Sequence, residues 1–331
     1  MFLGVDGGNS GTRALVMDAA GTVRAYGGGG NANHQGQGYD RALCHVATAV
    51  EEACRVAGIT VRELTAAHFA LAGDDVEDDH VRLSAGLEAA MPGLRFTLSN
   101  DVWAGLRAGS TSGIGVAVNC GSGCGTVGRN AQGECLMLPD LGYEFGDAGG
   151  GNQIATDAIR AVIRAWQGRG EPTMLTQMIL DLTVQPDVAA LYLALYRGRV
   201  TRDTRRAATR LVFQAAALGD AVATGILHRI GDELGVAGAA VARRLGMQDV
   251  AFPFVLTGGA FRTLSSPLAE ATIARLRQTA PRCVPTLPVL MPVAGAALMA
   301  LDAAERPVTE EHYERLCAQG YGRHQLVASS Q

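Results

Sequence analysis

The opening pattern of this chain occurs twice, and that restricts the folds open to it more than any other feature. Phe2 to Asp6 is a short apolar run that ends in the glycine turn Gly7-Gly-Asn-Ser-Gly11. A second apolar run, Thr12 to Asp18, leads into the turn Asp18-Ala-Ala-Gly21 and a third strand, Thr22 to Tyr26. The pattern restarts at Gly113 to Asn119, followed by the turn Cys120-Gly-Ser-Gly-Cys-Gly125. Thr126 to Arg129, Asn130-Ala-Gln-Gly133 and Glu134 to Leu138 then repeat the hairpin and third strand. Asp6 falls on Asn119 and Gly21 on Gly133. The alternative is a chance likeness of two glycine-bracketed hairpins. Agreement of strand, glycine turn and hairpin turn in order and spacing favours duplication of a whole subdomain core. A length of 331 residues also suits two domains.

Between the copies, residues 40–57 carry Leu43, Val46, Ala47, Val50, Ala53 and Cys54 at helical spacing and stop at Gly58. Strands are predicted at 64–71 and 94–99, with helices at 76–90 and 101–108. This β-β-β-α-β-α-β-α order implies an α/β fold, a mixed sheet with helices on its faces. The small polar stretch Ala108 to Gly113 reads as a linker and divides the chain into 1–111 and 112–331. The second part continues with helices at 150–167, 173–182, 187–196, 202–217 and 220–246. A strand, Phe254 to Thr257, ends in Gly258-Gly259, and helices follow at 266–278, 292–304 and 309–318.

Composition removes whole mechanisms. All 28 basic residues are arginine. A Walker A loop, a protein kinase, a Schiff-base enzyme and a biotin or lipoyl carrier all need a lysine. The 43 glycines cluster at 4–11, 27–30, 121–125, 146–151 and 258–259, as tight turns or close ligand approach require. A net charge of −4 argues against a nucleic-acid partner. No apolar run approaches the ~20 residues of a membrane span, and no signal peptide is visible before Asp6. Seven irregularly spaced cysteines are expected to be reduced thiols in a cytoplasmic protein.

Two similar glycine turns suggest two halves facing one anionic ligand, because backbone N–H groups in such turns bind anions. Plain hairpin connections are the alternative. Asp6, at the end of the first strand, suits Mg²⁺ or its water shell. Gly123 to Gly128 fits G-x-G-x-x-G, but more strand follows where a dinucleotide fingerprint needs a helix. There is no G-x-S-x-G elbow and no H-E-x-x-H. Asp101 either caps a helix or acts as a general base at the mouth of the sheet, as phosphoryl transfer to an alcohol requires. Asp147, in Gly146-Asp-Ala-Gly-Gly-Gly151, either caps the next helix or binds a sugar hydroxyl or metal, and that helix start could bind an anion. The missing side chains of Gly258 and Gly259 allow a flat ring to lie on the backbone, or simply a tight turn.

Together these residues resemble the superfamily of acetate kinase, sugar kinases, Hsp70 and actin. Within it the chain is similar to the N-acetylglucosamine kinase and BadF/BadG/BcrA/BcrD-type ATPase family along nearly its whole length. Asp6-Gly-Gly-Asn-Ser10 resembles the first phosphate motif, Gly121-Ser-Gly123 the second, and Gly258-Gly259 the adenosine motif. Asn33-His34 resembles a sugar-contacting segment. Asp101 falls on the catalytic aspartate, and Gly142-Tyr143 through Gly146-Asp147 resembles the sugar-holding G-W…G-D-E-G-S segment. The zinc motif of ROK sugar kinases is absent.

The resemblance implies two ribonuclease-H-like domains, 1–111 and 112–331. The second would carry a helical insertion at about 170–246, and the last helix would pack back on the first domain. It implies an ATP-dependent kinase acting on an amino sugar, N-acetylglucosamine to its 6-phosphate, in a homodimer. Asp101 would be the base and Asp6 would position Mg²⁺. Gly8, Asn9, Ser10, Thr12, Gly121, Ser122, Gly123, Gly258 and Gly259 would bind nucleotide, and Asn33, Asp101 and Asp147 the sugar. The chain departs from the family where its first loop often continues Lys-Thr, reading Gly11-Thr12 instead. It also reads Ala-Gly-Gly after Asp147, and Glu144-Phe145 replaces a longer stretch containing His. A second reading is an ATPase that activates a partner redox enzyme. A third, prompted by Gly11 and Ala148, is a sugar-binding regulator with weak catalysis.

Overall fold

The structure, a computed structural model, describes residues 1–139 and 141–323; residues 324–331 of the second expected domain lie outside them. The first sheet contains β1 (Phe2–Gly8), β2 (Gly11–Met17), β3 (Val23–Gly29), β4 (Ala66–Leu71) and β5 (Phe96–Ser99), in the order β3-β2-β1-β4-β5. The second contains β6 (Gly115–Cys120), β7 (Cys124–Arg129), β8 (Cys135–Leu138), β9 (Pro253–Thr257) and β10 (Val284–Thr286), in the order β10-β9-β6-β7-β8. In each, a three-strand antiparallel meander is extended by two parallel strands. The copies share one topology, as the repeated pattern predicts. β10 has no counterpart among the expected strands. Three residues with a central proline, Pro285, make a weak strand signal, tolerated at a sheet edge.

Helix α1 (Tyr39–Ala57) buries Ala42, Val46, Ala49, Val50, Ala53 and Cys54 and ends at a left-handed Gly58. It lies almost on the backbone of β3: a Cβ at Gly27 would sit 2.2 Å from the Ala49 carbonyl, and one at Gly29 the same distance from that of His45. The 27–30 glycine cluster thus serves helix-on-sheet packing. α2 (Glu77–Ala90) and α3 (Asp101–Gly109) complete this part.

In the second part, α4 (Gly150–Trp166), α5 (Leu175–Thr183), α6 (Val188–Tyr196), α7 (Arg202–Ala217), α8 (Ala221–Arg244) and α9 (Pro267–Arg277) build the larger core. α8 lies directly on the second sheet, where Val241 would meet a Cβ at Gly128 at 2.5 Å. The true excursion from the sheet is therefore α5 to α7.

The chain then returns. α10 (Pro292–Ala303) crosses the back of the first sheet so closely that a Cβ at Gly4 would lie 2.1 Å from the Ala297 nitrogen. α11 (Glu310–Leu316) and the turn Cys317–Tyr321 follow, and Gln319 Oε1 accepts from the Val23 N–H at 2.8 Å. Phe2, Leu15 and Met17 share one core with Leu298, Leu301, Tyr313 and Leu316.

The stretch expected to be a linker is pinned. Buried Arg107 donates to Asp302 at 2.7 and 3.1 Å, to the carbonyls of Ser110 and Thr111 at 3.0 and 2.8 Å, and to the Tyr313 hydroxyl at 2.9 Å. Among the described residues no single helix is long and apolar enough to cross a membrane.

Candidate active site

The two glycine turns open into one cleft of about 650 Å³ between the sheets. Asp6, Gly8, Asn9 and Ser10 line it from the first sheet, and Gly121, Ser122 and Gly123 from the second, with Asn33, Asp101, Asp147 and Gly258 around them. Ser10, Gly121 and Ser122 also line an adjoining pocket of about 500 Å³, and there Gly259 is found, beside Ala260 and Phe213.

Thr12 is absent from both cavities. It is buried, and its hydroxyl donates to the Gly30 carbonyl at 2.7 Å. Side chains alternate along a strand, so Gly11 and Arg13 share one face of β2 and Thr12 takes the other. Arg13 lines the cleft and reaches Asp6 at 3.5 Å.

Asp101 opens α3, but it is not the cap. Asn100 is, its Oδ1 accepting from the Val102 N–H at 3.0 Å. Asp101 is left facing the cleft, and a Cβ on Gly8 would lie 3.8 Å from its Oδ2. Burial, reinforced by the charges of Asp6 and Asp75, pushes its carboxyl up to about 7. Asp6 is also raised above the usual carboxylate range, because its burial outweighs the attraction of Arg13. Asp75 lines the same cleft and accepts from Asn100 Nδ2 at 2.8 Å and from Gln35 Nε2 at 2.9 Å. No sequence motif marked Asp75, which sits in the loop after β4.

Asn33 caps a short 3₁₀ turn, accepting from the Gln35 N–H at 2.9 Å. Its neighbour His34 pairs with Asp79 at 3.1 Å and stacks on Tyr39. Asp147 does not cap α4, whose cap is Gly149. Its Oδ2 closes its own loop, accepting from the N–H groups of Leu141 and Gly142 at 2.7 and 3.0 Å.

The start of α4 also differs from expectation. Its Gly151 and Asn152 N–H groups donate to the carbonyls of Gly121 and Ser122, at 2.8 and 3.0 Å. They shape the second turn and are not left for an anion. Gly150 makes this docking possible: its φ is +84°, and a Cβ would fall 2.5 Å from Gly123. Gly150→Ala is therefore expected to lower stability by about 1–3 kcal/mol and to weaken ADP binding. Thermal melting and calorimetric titration check both.

Among the described residues no group of three or more His, Cys, Asp or Glu side chains could hold a metal ion. A buried single carboxylate beside phosphate-sized turns fits the way Mg²⁺ binds, through one or two carboxylates, waters and the phosphates of a substrate.

The model of the BadF/BadG/BcrA/BcrD ATPase family matches residues 3–300. The N-acetyl-D-glucosamine kinase of Dictyostelium discoideum is 27% identical over 318 residues, covering 92% of this chain and 98% of that protein. The N-acetylmuramic acid/N-acetylglucosamine kinase of Clostridium acetobutylicum is 27% identical over 266 residues, covering 80% and 86%. The crystal structure of a candidate N-acetylglucosamine kinase from Chromobacterium violaceum superposes with a TM-score of 0.69 at 27% identity, covering 90% of this chain and 98% of that one.

Proposed function

The chain belongs to the BadF/BadG/BcrA/BcrD ATPase family, and from that premise we propose that it is an ATP-dependent kinase for an amino sugar, N-acetylglucosamine, forming the 6-phosphate. The observation that carries this reading is the placement of partly buried Asp101 in one cleft with both glycine turns, in a chain whose similar proteins include two N-acetylglucosamine kinases.

In this reading the adenosine lies in the adjoining pocket against Gly259 and Ala260. Its phosphates run over Ser10, Gly121 and Ser122, which line both cavities. Backbone N–H groups of the turns at Gly8 to Ser10 and Gly121 to Gly123 bind the phosphate oxygens. Asp6 holds Mg²⁺, which when bound neutralises phosphate charge. Asn33 and Asp147 hold the sugar, Asp147 through the oxygen that its own loop does not use. Asp101 takes the hydroxyl proton as the sugar oxygen bonds to the γ-phosphorus and the bond to the ADP oxygen breaks. A carboxylate raised towards neutrality is the stronger base for this step. Thr12 has no contact role here, since its hydroxyl is committed to Gly30.

We assign residues 1–111 and 112–331 as the two domains, 324–331 lying outside the described residues, and propose that the two lobes close on the ligands and exclude water, with the last helices packed back on the first. A homodimer and a cytoplasmic setting complete the proposal. ADP release from Mg-ATP, followed over a panel of hexoses and amino sugars, tests it. Strong dependence on N-acetylglucosamine is expected. ATP hydrolysis indifferent to every sugar would favour the partner-activating ATPase instead.

A further inference from the structure

A nucleotide triphosphate carries several negative charges, and this chain has no lysine to meet them. Gly11 brings no charge to the first turn, and Arg13 beside it is paired with Asp6. Backbone turns alone would leave the phosphate tail short of cationic partners. The second sheet's helical excursion offers them. Arg202, Arg206 and Arg210 lie at intervals of four along α7, so they share one helix face. Arg202 lines the cleft that holds both glycine turns. Arg206 and Arg210 line the adjoining pocket. The junction of the two cavities is built from Ser10, Gly121 and Ser122, and Arg202 and Arg206 line the two cavities that meet there.

The register of α7 against this junction is set by hydrogen bonds. Thr209 Oγ1 donates to the Gly151 carbonyl at 2.7 Å, and the Gly151 N–H donates to the Gly121 carbonyl at 2.8 Å. α7 is thus tied through the start of α4 to the second turn itself. Among the described residues none of the three guanidiniums is in an ion pair or a side-chain hydrogen bond. Arg24, Arg82 and Arg107, elsewhere in the chain, are each paired with an aspartate.

We propose that Arg202 and Arg206 bind the nucleotide phosphates from the α7 side, supplying the charge that position 11 lacks. This rests on the kinase reading only in its use of a nucleotide. Guanidinium groups suit the task because their planar fork pairs with phosphate oxygens in a bidentate manner.

The test is equilibrium binding to the full chain, with ADP and adenosine as separate probes in one Mg²⁺ buffer. Arg202→Gln and Arg206→Gln are each expected to weaken ADP binding about tenfold and the pair more, with adenosine binding within about twofold of wild type. Arg206→Lys should recover part of the loss. Arg205→Gln, which lines neither cavity, should bind ADP like wild type. Unchanged ADP affinity in the double variant would overturn the proposal. So would parallel loss of adenosine and ADP, which marks damage to the helix or a contact with the adenosine in the pocket that Arg206 lines, instead of lost phosphate contacts. Should the double variant melt at a lower temperature, the salt dependence of ADP binding to wild type decides. A clear fall in affinity with salt supports the proposal, and salt-independent binding contradicts it. None of these readouts uses the sugar, so failure of the sugar-kinase reading would show separately, as absent sugar-dependent ADP release.

Discussion

Asp101→Asn is expected to lower kcat by about 10²–10⁴-fold while making the folded chain more stable above neutral pH. The two effects have one cause. Burial among Asp6 and Asp75 lifts the carboxyl to about 7, against an unfolded value near 3.9. Between these values the folded state keeps a proton that the unfolded chain has released, so stability falls as pH rises through that window. Above about pH 7 the burial penalty is complete, on the order of 4 kcal/mol at most. Asparagine carries no charge and removes it. Denaturant melts at pH 8 should therefore favour the variant, and the advantage should vanish near pH 4. The same titration predicts that kcat/KM of the wild type rises with pH towards neutrality, as the base form appears. Near-wild-type turnover in the variant would remove Asp101 from the base role.

Arg107→Met is expected to cost about 3–5 kcal/mol of stability. Its guanidinium satisfies the Asp302 carboxylate, two backbone carbonyls and the Tyr313 hydroxyl. Removing it strands those acceptors where the chain crosses from the first sheet to the second. The Tyr313 hydroxyl, pushed up to about 12 mainly by burial, stays neutral and donates to the Ser110 carbonyl at 2.9 Å. Asp302→Asn should cost less, because the Asp302 side chain is 41% exposed and water can replace the lost charge. Urea melts of both single variants and the double variant would show the coupling. A cost below about 1 kcal/mol for Arg107→Met would mean that apolar packing of α10 and α11 holds the junction without the clamp.

The duplicated sheets were legible because each copy is written in local signals: an apolar run, a glycine turn, a hairpin turn. Helix limits were legible where caps are local, as at Gly58. β10 was not, since three residues beside a proline draw their strand character from pairing with β9. The same division runs through the site. Asp101 and the two turns stand at strand ends, where their positions follow from the strands themselves. Thr12 was misplaced because motif order ignores strand alternation, which turns it away from the cleft and turns Arg13 in. Asp75 and the arginines of α7 are cleft residues only through tertiary folding. Neighbouring residues in sequence carry no sign of it. Asp147 and the α4 start show a further limit: a carboxylate or a free helix end can be predicted, but the loop that takes one carboxylate oxygen, or the turn that takes the helix N–H groups, is visible only in three dimensions.

The reaction proposed for the cleft is transfer of the γ-phosphoryl group to a sugar hydroxyl. Phosphorus NMR of the wild-type chain with Mg-ATP and N-acetylglucosamine follows that transfer atom by atom. A phosphomonoester signal of the 6-phosphate is expected to grow in step with ADP. Inorganic phosphate growing in step with ADP, with no sugar ester, would contradict it.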